Sequence, residues 1–493
     1  MSENNKLNGL SAITITSIFE ASALNRDEKL GGNIPSIKKL TRADKGTFSY
    51  ISRVAMRHYL FETLSKNPLT KDNWSPANCF ESGTGDKIVV QFDLRTQNIL
   101  THAELDAFGY MFTIGGQQSL TRKAAVGITK AVALEAWEGD MQFNANHDLA
   151  RRCGANPNPV NKEEQKSYFK VAFTIDIDKL GYDEWWIKDK AYDDKAKKLT
   201  LFLSEKGTDV VLKEVEEVQK GLQYKISEHE INIDGLSCTV SKELMEEKSE
   251  MPKNQEEKKY ILFKNGFLDK SEKENENKEQ SGKKEKGKGK AKTFKIYEEE
   301  YTVEDKESFY QFTVGRCSYN PSEKTLTLSF VLTHTIEAEE EGGKYNVKGK
   351  NNSKVGEIEI VEKDSKKKAI FRLEEKEKGK RLSQILKVIK NGLIYHTSGE
   401  NEGIVPQFII SAGLKLPIPL FNSFVELGNF ESSILNNDYI LTDTSGKKLV
   451  YVYNPKNLAG DIDTKNLYTD WNIFLRELGV ESETGPQNQN PST

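Results

Sequence analysis

At 493 residues, with 71 Lys and Arg against 75 Asp and Glu and a net charge of -4, the chain is long enough for one elaborate domain or two to three ordinary ones. Hydrophobic residues make up 36% and charged residues 30%, which predicts some segments too polar to build a core, while 23 Phe and 18 Tyr exclude disorder throughout. No apolar run approaches the roughly 20 residues that a membrane span needs, since even Leu414 to Phe421 is broken by Lys415, Pro417 and Pro419.

The opening MSENNKLNGL lacks the basic and apolar regions of a secretory signal, so a soluble, cytoplasmic protein with no membrane partner is expected. Its four cysteines, Cys79, Cys153, Cys238 and Cys317, are far apart and form no CxxC pair. In a reducing compartment they are expected to be buried thiols rather than disulfides or zinc ligands.

In chain order, the alternation in Ala12 to Phe19 predicts a half-buried strand, with Ile13 and Ile15 on one face and Thr14 and Thr16 on the other. A loop rich in Gly, Asn and Lys follows over residues 25 to 47, and Phe48 to Leu64 then reads as a helix stopped by Asn67-Pro68. At 100 degrees per residue, Ile51, Val54, Ala55 and Phe61 share its apolar side and Ser49, Arg53 and Arg57 the opposite one. Ile88 to Leu94, Ala124 to Leu134 and Phe169 to Ile177 read as strands, with a short helix from His102 to Phe112. Of the adjacent Trp185 and Trp186, a strand turns one to each face, so one belongs to the core.

Residues 271 to 292 contain eight Lys, five Glu and one apolar residue, and nothing in them offsets the roughly 1 to 2 kcal/mol of backbone entropy lost per ordered residue. A mobile insertion is expected there, and residues 337 to 368 are expected to form a charged hairpin leaving the fold. Residues 404 to 428 and 438 to 453 read as core again, followed by a frayed tail. These readings divide the chain into 1–240, 241–293 (charged and largely disordered), 294–480 and 481–493.

Charge is concentrated early. Residues 26 to 57 hold eight cations, Arg26, Lys29, Lys38, Lys39, Arg42, Lys45, Arg53 and Arg57, against three acids, Asp27, Glu28 and Asp44. A basic loop with Gly31, Gly32 and Gly46 that feeds a helix carrying arginines suits a polyanion, because phosphates bind to side-chain cations and to backbone N–H groups. A solvated loop is the bland alternative. Catalytic patterns fare worse: Asp176-Ile-Asp178 lacks the ligand spacing of a calcium loop, with Leu180 where an oxygen is needed. Gly83-Thr-Gly85-Asp-Lys87 lacks a phosphate-loop spacing, and His147-Asp148 with Cys153 has no further partner at ligand spacing. No cofactor or metal site is expected.

Ser22-Ala-Leu-Asn-Arg-Asp27, followed by Ser49-Tyr-Ile-Ser-Arg-Val-Ala-Met-Arg-His-Tyr-Leu60, resembles the backbone subunit of type I CRISPR surveillance complexes (Cascade). Within that RAMP superfamily, the DevR branch of type I-B fits best. Leu105-Asp-Ala-Phe-Gly-Tyr-Met111, Ala124 to Glu135 and Gly139 to His147 are similar to the family's helix, central strand and the start of its thumb, and Gln407 to Phe424 matches loosely.

The resemblance implies an α+β fold, a modified RNA-recognition-motif (ferredoxin-like) palm with large insertions and a thumb at about 140–166. It implies a non-catalytic scaffold that polymerises along CRISPR RNA, with other Cascade subunits as partners and target DNA reached through the guide. By matching positions, Asn25, Arg26, Lys38, Lys39, Ser49, Ser52, Arg53 and Arg57 are the implied RNA contacts, with Arg122, Lys123, Phe143, Asn144, Asn146 and His147 behind them. The aromatic motif with which ordinary RNA-recognition domains stack bases on their sheet is absent, so the RNA is not expected on the sheet face. The alternative is a subunit similar to those of type III complexes, cutting target RNA with a divalent metal and Asp27 or Asp148.

Overall fold

The protein is described here by a computed structural model. It describes residues 9–480 apart from 23–25, 30–34, 44, 83–88, 115–118, 205–207, 235–236, 251–257, 269–292, 297–298, 350, 365 and 397–400. The expected mobile insertion at 271 to 292 and the tail at 481 to 493 therefore lie outside the described residues.

Strands dominate a mixed α/β architecture. The main sheet has eight strands, all antiparallel. Its order is Lys39–Arg42, Gly46–Ile51, Ala131–Ala133, Ser167–Asp176, Ala12–Ala21, Phe408–Leu414 and Val450–Tyr453, with Val126–Ile128 also paired to Ser167–Asp176. Ala12–Ala21 is central, and its ten residues pair with Ser167–Asp176 along their whole length. This position corrects the expected half-buried alternation. Ile13, Ile15 and Phe19 face one core, Ala12 and Ile18 face another, and Thr14 and Thr16 are fully buried as well. A strand covered on both faces loses its amphipathic contrast.

The predicted helix from Phe48 to Leu64 divides in two. Thr47, Phe48, Tyr50 and Ile51 belong to the Gly46–Ile51 strand, as β-branched and aromatic residues favour. Ser52 then caps α1 (Arg53–Lys66), its hydroxyl accepting from the Ala55 N–H at 3.2 Å. The buried side of α1 is Met56, Leu60, Thr63 and Leu64, so the expected apolar face is rotated and Val54 is 67% exposed. The helix expected from His102 to Phe112 is α2 (Ala103–Phe108), followed by the strand Tyr110–Phe112. Gly109 separates them at φ +67°, where a Cβ would stand 2.3 Å from the Arg122 carbonyl oxygen. Ala124 to Leu134 holds two short strands rather than one, and among the described residues of the stretch expected at Ile88 to Leu94 the strand is Val89–Phe92.

After the central region, α3 (His147–Arg152) sits at the end of a hairpin made of Met141–Ala145 and Pro159–Glu163. Further on, α4 (Glu375–Asn391) packs Leu382, Ile385, Leu386, Val388 and Ile389 into the core beneath the main sheet, and α5 (Trp471–Glu477) closes the same core with Phe474 and Leu475.

Two further modules are built on strands. Tyr182–Ile187, Lys366–Leu373, Lys354–Lys363, Lys344–Lys348 and Glu339–Glu341 form a five-stranded sheet. The described residues of 337 to 368 are thus part of a packed sheet and not a hairpin leaving the fold, because Tyr345, Val347 and Ile358 reach one core with Trp185 and with Ala369 and Phe371 just beyond the stretch. Each such large apolar side chain contributes roughly 1.5 to 3 kcal/mol on burial. Trp185 is buried and Trp186 is exposed with the Lys368 ammonium 4.4 Å from its ring centroid, as expected of neighbours on a strand. The second module is a nine-stranded sheet with its own core, including Ile231, Val240, Ile261 and Phe312. Its strands Met245–Glu250 and Lys258–Phe263 fall inside the stretch expected to be disordered from 241 onward. Of the cysteines only Cys238 is fully buried; Cys79 and Cys153 are exposed, contrary to expectation.

The main sheet and the five-stranded sheet meet at a buried ion cluster. Asp106 on α2, with no exposed surface, accepts from Arg122 at 2.8 Å, from Arg381 on α4 at 2.9 Å and from the Gly181 N–H at 2.8 Å. Arg381 also donates to the Ile99 and Leu100 carbonyls, and Arg122 to that of Lys179. Asp183, 3.8 Å from Arg122, accepts from the Tyr110 hydroxyl at 2.5 Å, and burial pushes its carboxyl up to about 6. Replacing Asp106 by Ala leaves two buried guanidinium groups without their carboxylate, a defect worth roughly 3 to 5 kcal/mol. Urea unfolding of Asp106→Ala is expected to show a loss of that size; a loss below about 1 kcal/mol would show that the cluster is not what joins these elements.

Candidate nucleic-acid interface

The Lys39–Arg42 and Gly46–Ile51 strands form one edge of the main sheet, with Arg42 opposite Gly46 and Lys39 opposite Ser49. Both lead to a turn in which the Lys45 N–H donates to the Arg42 carbonyl at 2.9 Å and Gly46 adopts φ +93°. Arg42 and Lys45 are exposed on this turn and carry no ion pair among the described residues. At the other end of Gly46–Ile51, Arg53 opens α1, also exposed and unpaired among the described residues. Lys130, next to Ala131 that pairs with Ile51, is exposed with its ammonium 4.7 Å from the Tyr50 ring centroid. Behind them Lys170 donates to the Val425 carbonyl at 2.7 Å; burial lowers its pKa, and Arg42 adds to that effect.

The hairpin carrying α3 rises from this same edge. The Trp137 N–H donates to the Thr47 carbonyl at 2.8 Å, and the Lys39 ammonium lies 3.8 Å from the Trp137 ring centroid. Glu163, at the hairpin base, accepts from Lys39 at 2.6 Å and from the Ile37 N–H at 2.8 Å. Arg26 donates to the Glu163 carbonyl at 2.6 Å and to the Glu164 carboxylate at 3.3 Å. Beyond this clamp the hairpin is exposed along Met141, Gln142, Phe143 and Asn144, with Phe143 62% exposed.

The sequence candidates separate into three groups. Arg53, Lys123, Phe143, Asn144 and His147 lie exposed, as does Asn146, whose side chain accepts from the Asn158 N–H at 2.6 Å. Others have structural work. Arg26 and Lys39 clamp the hairpin, and Ser52 caps α1. Arg57 sits 3.3 Å from Glu104, a carboxyl whose pKa burial raises, with its guanidinium 4.8 Å from the Phe108 ring centroid. Ser49 is fully buried, and Arg122 belongs to the interior cluster. These positions correct the expectation that Ser49 and Arg122 face a ligand: a strand burying alternate residues takes Ser49 inward, and Asp106 takes Arg122. Lys38 is half-buried, and Asn25 lies outside the described residues.

Arg42 and Lys45 stand out in the sequence only as part of a charge count, and Lys130 lies hidden in a strand-like stretch. Of the acids weighed for cutting, Asp148 forms an ion pair with Arg152 one turn away on α3, and Asp27 lies in the Arg26–Lys29 strand. Among the described residues no three His, Cys, Asp or Glu side chains stand close enough to share a metal ion.

Residues 13–434 match a family described as CRISPR-associated negative auto-regulator DevR/Csa2. No curated protein matches the chain. Among solved structures, a chain of a "CRISPR RNA-guided surveillance complex, pre-nicking" aligns at 11% identity and a TM-score of 0.24, covering 34% of this chain and 66% of that one. A chain of a "CRISPR RNA-guided surveillance complex" aligns at 10% identity and a TM-score of 0.21, covering 34% of this chain and 52% of that one. The alignments therefore span just under two thirds and about half of those chains.

The clamp at the hairpin base is testable. Glu163→Ala removes the shared acceptor of Lys39 and the Ile37 N–H, so amide exchange across Met141–Ala145 and Pro159–Glu163 is expected to accelerate while that of Ala12–Ala21 stays slow. Unchanged exchange in the hairpin would show that Glu163 does not hold it.

Proposed function

The chain belongs to the DevR/Csa2 family of CRISPR-associated proteins, and on that premise we propose that it is a non-catalytic scaffold of a type I-B Cascade complex. It binds CRISPR RNA along the phosphate backbone and polymerises on it. In this reading the eight-stranded sheet is the modified RNA-recognition palm and the Met141 to Glu163 hairpin is the thumb. The assembly works in the cytoplasm with the other Cascade subunits and reaches target DNA through the guide.

The observation that supports this reading is the set of exposed cations, Arg42, Lys45, Arg53 and Lys130, unpaired among the described residues along one sheet edge from which the hairpin rises. A scaffold that serves any spacer has to hold phosphates rather than base edges, and point charges at the ends of mobile side chains do so without sequence preference. Bases held only through their backbone stay open for pairing, so the guide reads sequence and the protein reads shape. Phe143 and Asn144 on the hairpin offer stacking and hydrogen bonding at its flank.

A salt titration tests the assignment. For single-stranded RNA each lost phosphate contact flattens the slope of log K against log salt by roughly 0.7. Arg42→Ala, Lys45→Ala, Arg53→Ala and Lys130→Ala are each expected to flatten it by about that amount and to weaken binding equally for unrelated sequences. Lys220→Ala, on the nine-stranded module, is the control expected to change nothing. Slopes unaltered by all four substitutions would refute this edge as the RNA path.

A further inference from the structure

The strands Lys198–Phe202 and Thr333–Glu337 are antiparallel neighbours, yet residues 203 to 332 lie between them in the chain. Their pairing continues past their ends. Phe202 stands opposite Thr333, the Leu203 N–H donates to the Leu332 carbonyl at 2.8 Å, and the Leu332 N–H donates to the Ser204 hydroxyl at 2.9 Å. Thr208 then stands opposite Phe330, so the chain leaves and returns side by side. At this neck Val331 lies against Gly315, where any Cβ would collide with it.

What lies beyond the neck is folded on itself. The three-stranded sheet of Thr208–Leu212, Thr325–Phe330 and Arg316–Asn320 places Leu212, Leu328 and Phe330 in one core with Ile231, Val240 and Phe312 of the nine-stranded sheet. Among the described residues, every buried member of that core lies between Val210 and Phe330. The core of the five-stranded sheet draws instead on both sides of the neck, from Ala77 to Leu203 and again from Ile336 to Leu373. Polar contacts follow the same boundary. The Tyr319 hydroxyl donates to the Val215 carbonyl at 3.0 Å, the Tyr310 hydroxyl to Glu247 at 2.9 Å, and Lys242 pairs with Asp305 at 2.7 Å. Charge separates the stretch as well: its 26 Asp and Glu exceed its 22 Lys and Arg by the whole net charge of the protein, and none of Arg42, Lys45, Arg53 and Lys130 belongs to it.

A stretch that buries its own core and joins its host through two adjacent strands can open and close as its own cooperative unit, because cooperativity follows shared burial rather than chain continuity. We infer that residues 208 to 330 are an independently folding domain inserted into the protein, and that the body carrying the cationic edge folds and holds RNA without it. Only the RNA-holding part rests on the reading of the chain as a scaffold for RNA.

Amide exchange of the full chain tests the independence of the domain. Phe312 is buried, its ring centroid 5.4 Å from that of Phe330, and belongs to the inserted core alone. Phe312→Ala is expected to speed exchange in the nine-stranded sheet by roughly a hundredfold or more and to leave Ala12–Ala21 unchanged. Asp106→Ala is expected to do the reverse. If either variant speeds both regions alike, the stretch is not a separate domain. Excision tests the rest, with an Asn-Gly turn joining Leu203 to Leu332 in place of residues 204 to 331. The shortened chain is expected to keep slow exchange in Ala12–Ala21 and to bind single-stranded RNA with the salt slope of the full chain. A shortened chain that does not fold overturns the independence of the body, and one that folds but binds RNA more weakly than the full chain overturns its sufficiency for RNA. If the full chain itself binds no RNA, the scaffold reading fails, while the exchange experiment still decides the domain.

Discussion

Two buried arginines sharing one buried aspartate set the frame on which everything else hangs. Asp106 ties α2 to α4 through Arg381, to the strand Leu120–Arg122 through Arg122, and to the turn behind the central region through the Gly181 N–H. Desolvating three charges is costly, and backbone carbonyls at 99, 100 and 179 offset part of that cost by accepting further guanidinium protons. Two residues before Asp106, Glu104 holds Arg57 of α1, so the orientation of α1, and with it Arg53 at its first turn, descends from the same cluster. The interior ion cluster thus reaches the surface cations in two steps.

Charge at the sheet edge is sorted by the same logic of pairing. Of the cations concentrated near the N-terminus, Arg26, Lys39 and Arg57 are engaged by acids, and their energy goes into fixing the hairpin and α1. Arg42, Lys45 and Arg53 are left without an acid among the described residues, and Lys130 joins them from the link just before the Ala131–Ala133 strand. Neutralised pairs support an edge of exposed, unneutralised cations. That division suits a surface that must follow a backbone of uniform charge without reading bases.

Much of the fold was legible where local pattern and final environment agree. The strand around Ala12 follows from its alternation, although its burial on both faces does not, those around Phe169 and Phe408 follow from their apolar runs, and the opposite fates of Trp185 and Trp186 follow from strand geometry alone. Legibility failed where distant partners decide. Lys39 and Glu163 are 124 residues apart, and no local feature distinguishes Lys39, which is paired, from Arg42, which is not. Arg122 looks like a surface cation in sequence and becomes interior because Asp106 waits for it. The stretch from 337 to 368 reads as solvent-exposed because its outward residues are Lys and Glu, yet Tyr345, Val347 and Ile358 help to build a core that only the full sheet reveals. Ser49 was placed on a helix face by periodicity, whereas the capping Ser52 starts that helix three residues later.

The central claim is that copies of this chain line up on single-stranded RNA through its backbone. Nuclease protection of RNA bound by the purified protein in low salt tests it most directly. The account predicts protected fragments whose lengths rise by one constant increment and are the same for unrelated sequences. Failure of the protein to retain any RNA, or protection confined to one sequence with no regular increment, would contradict it.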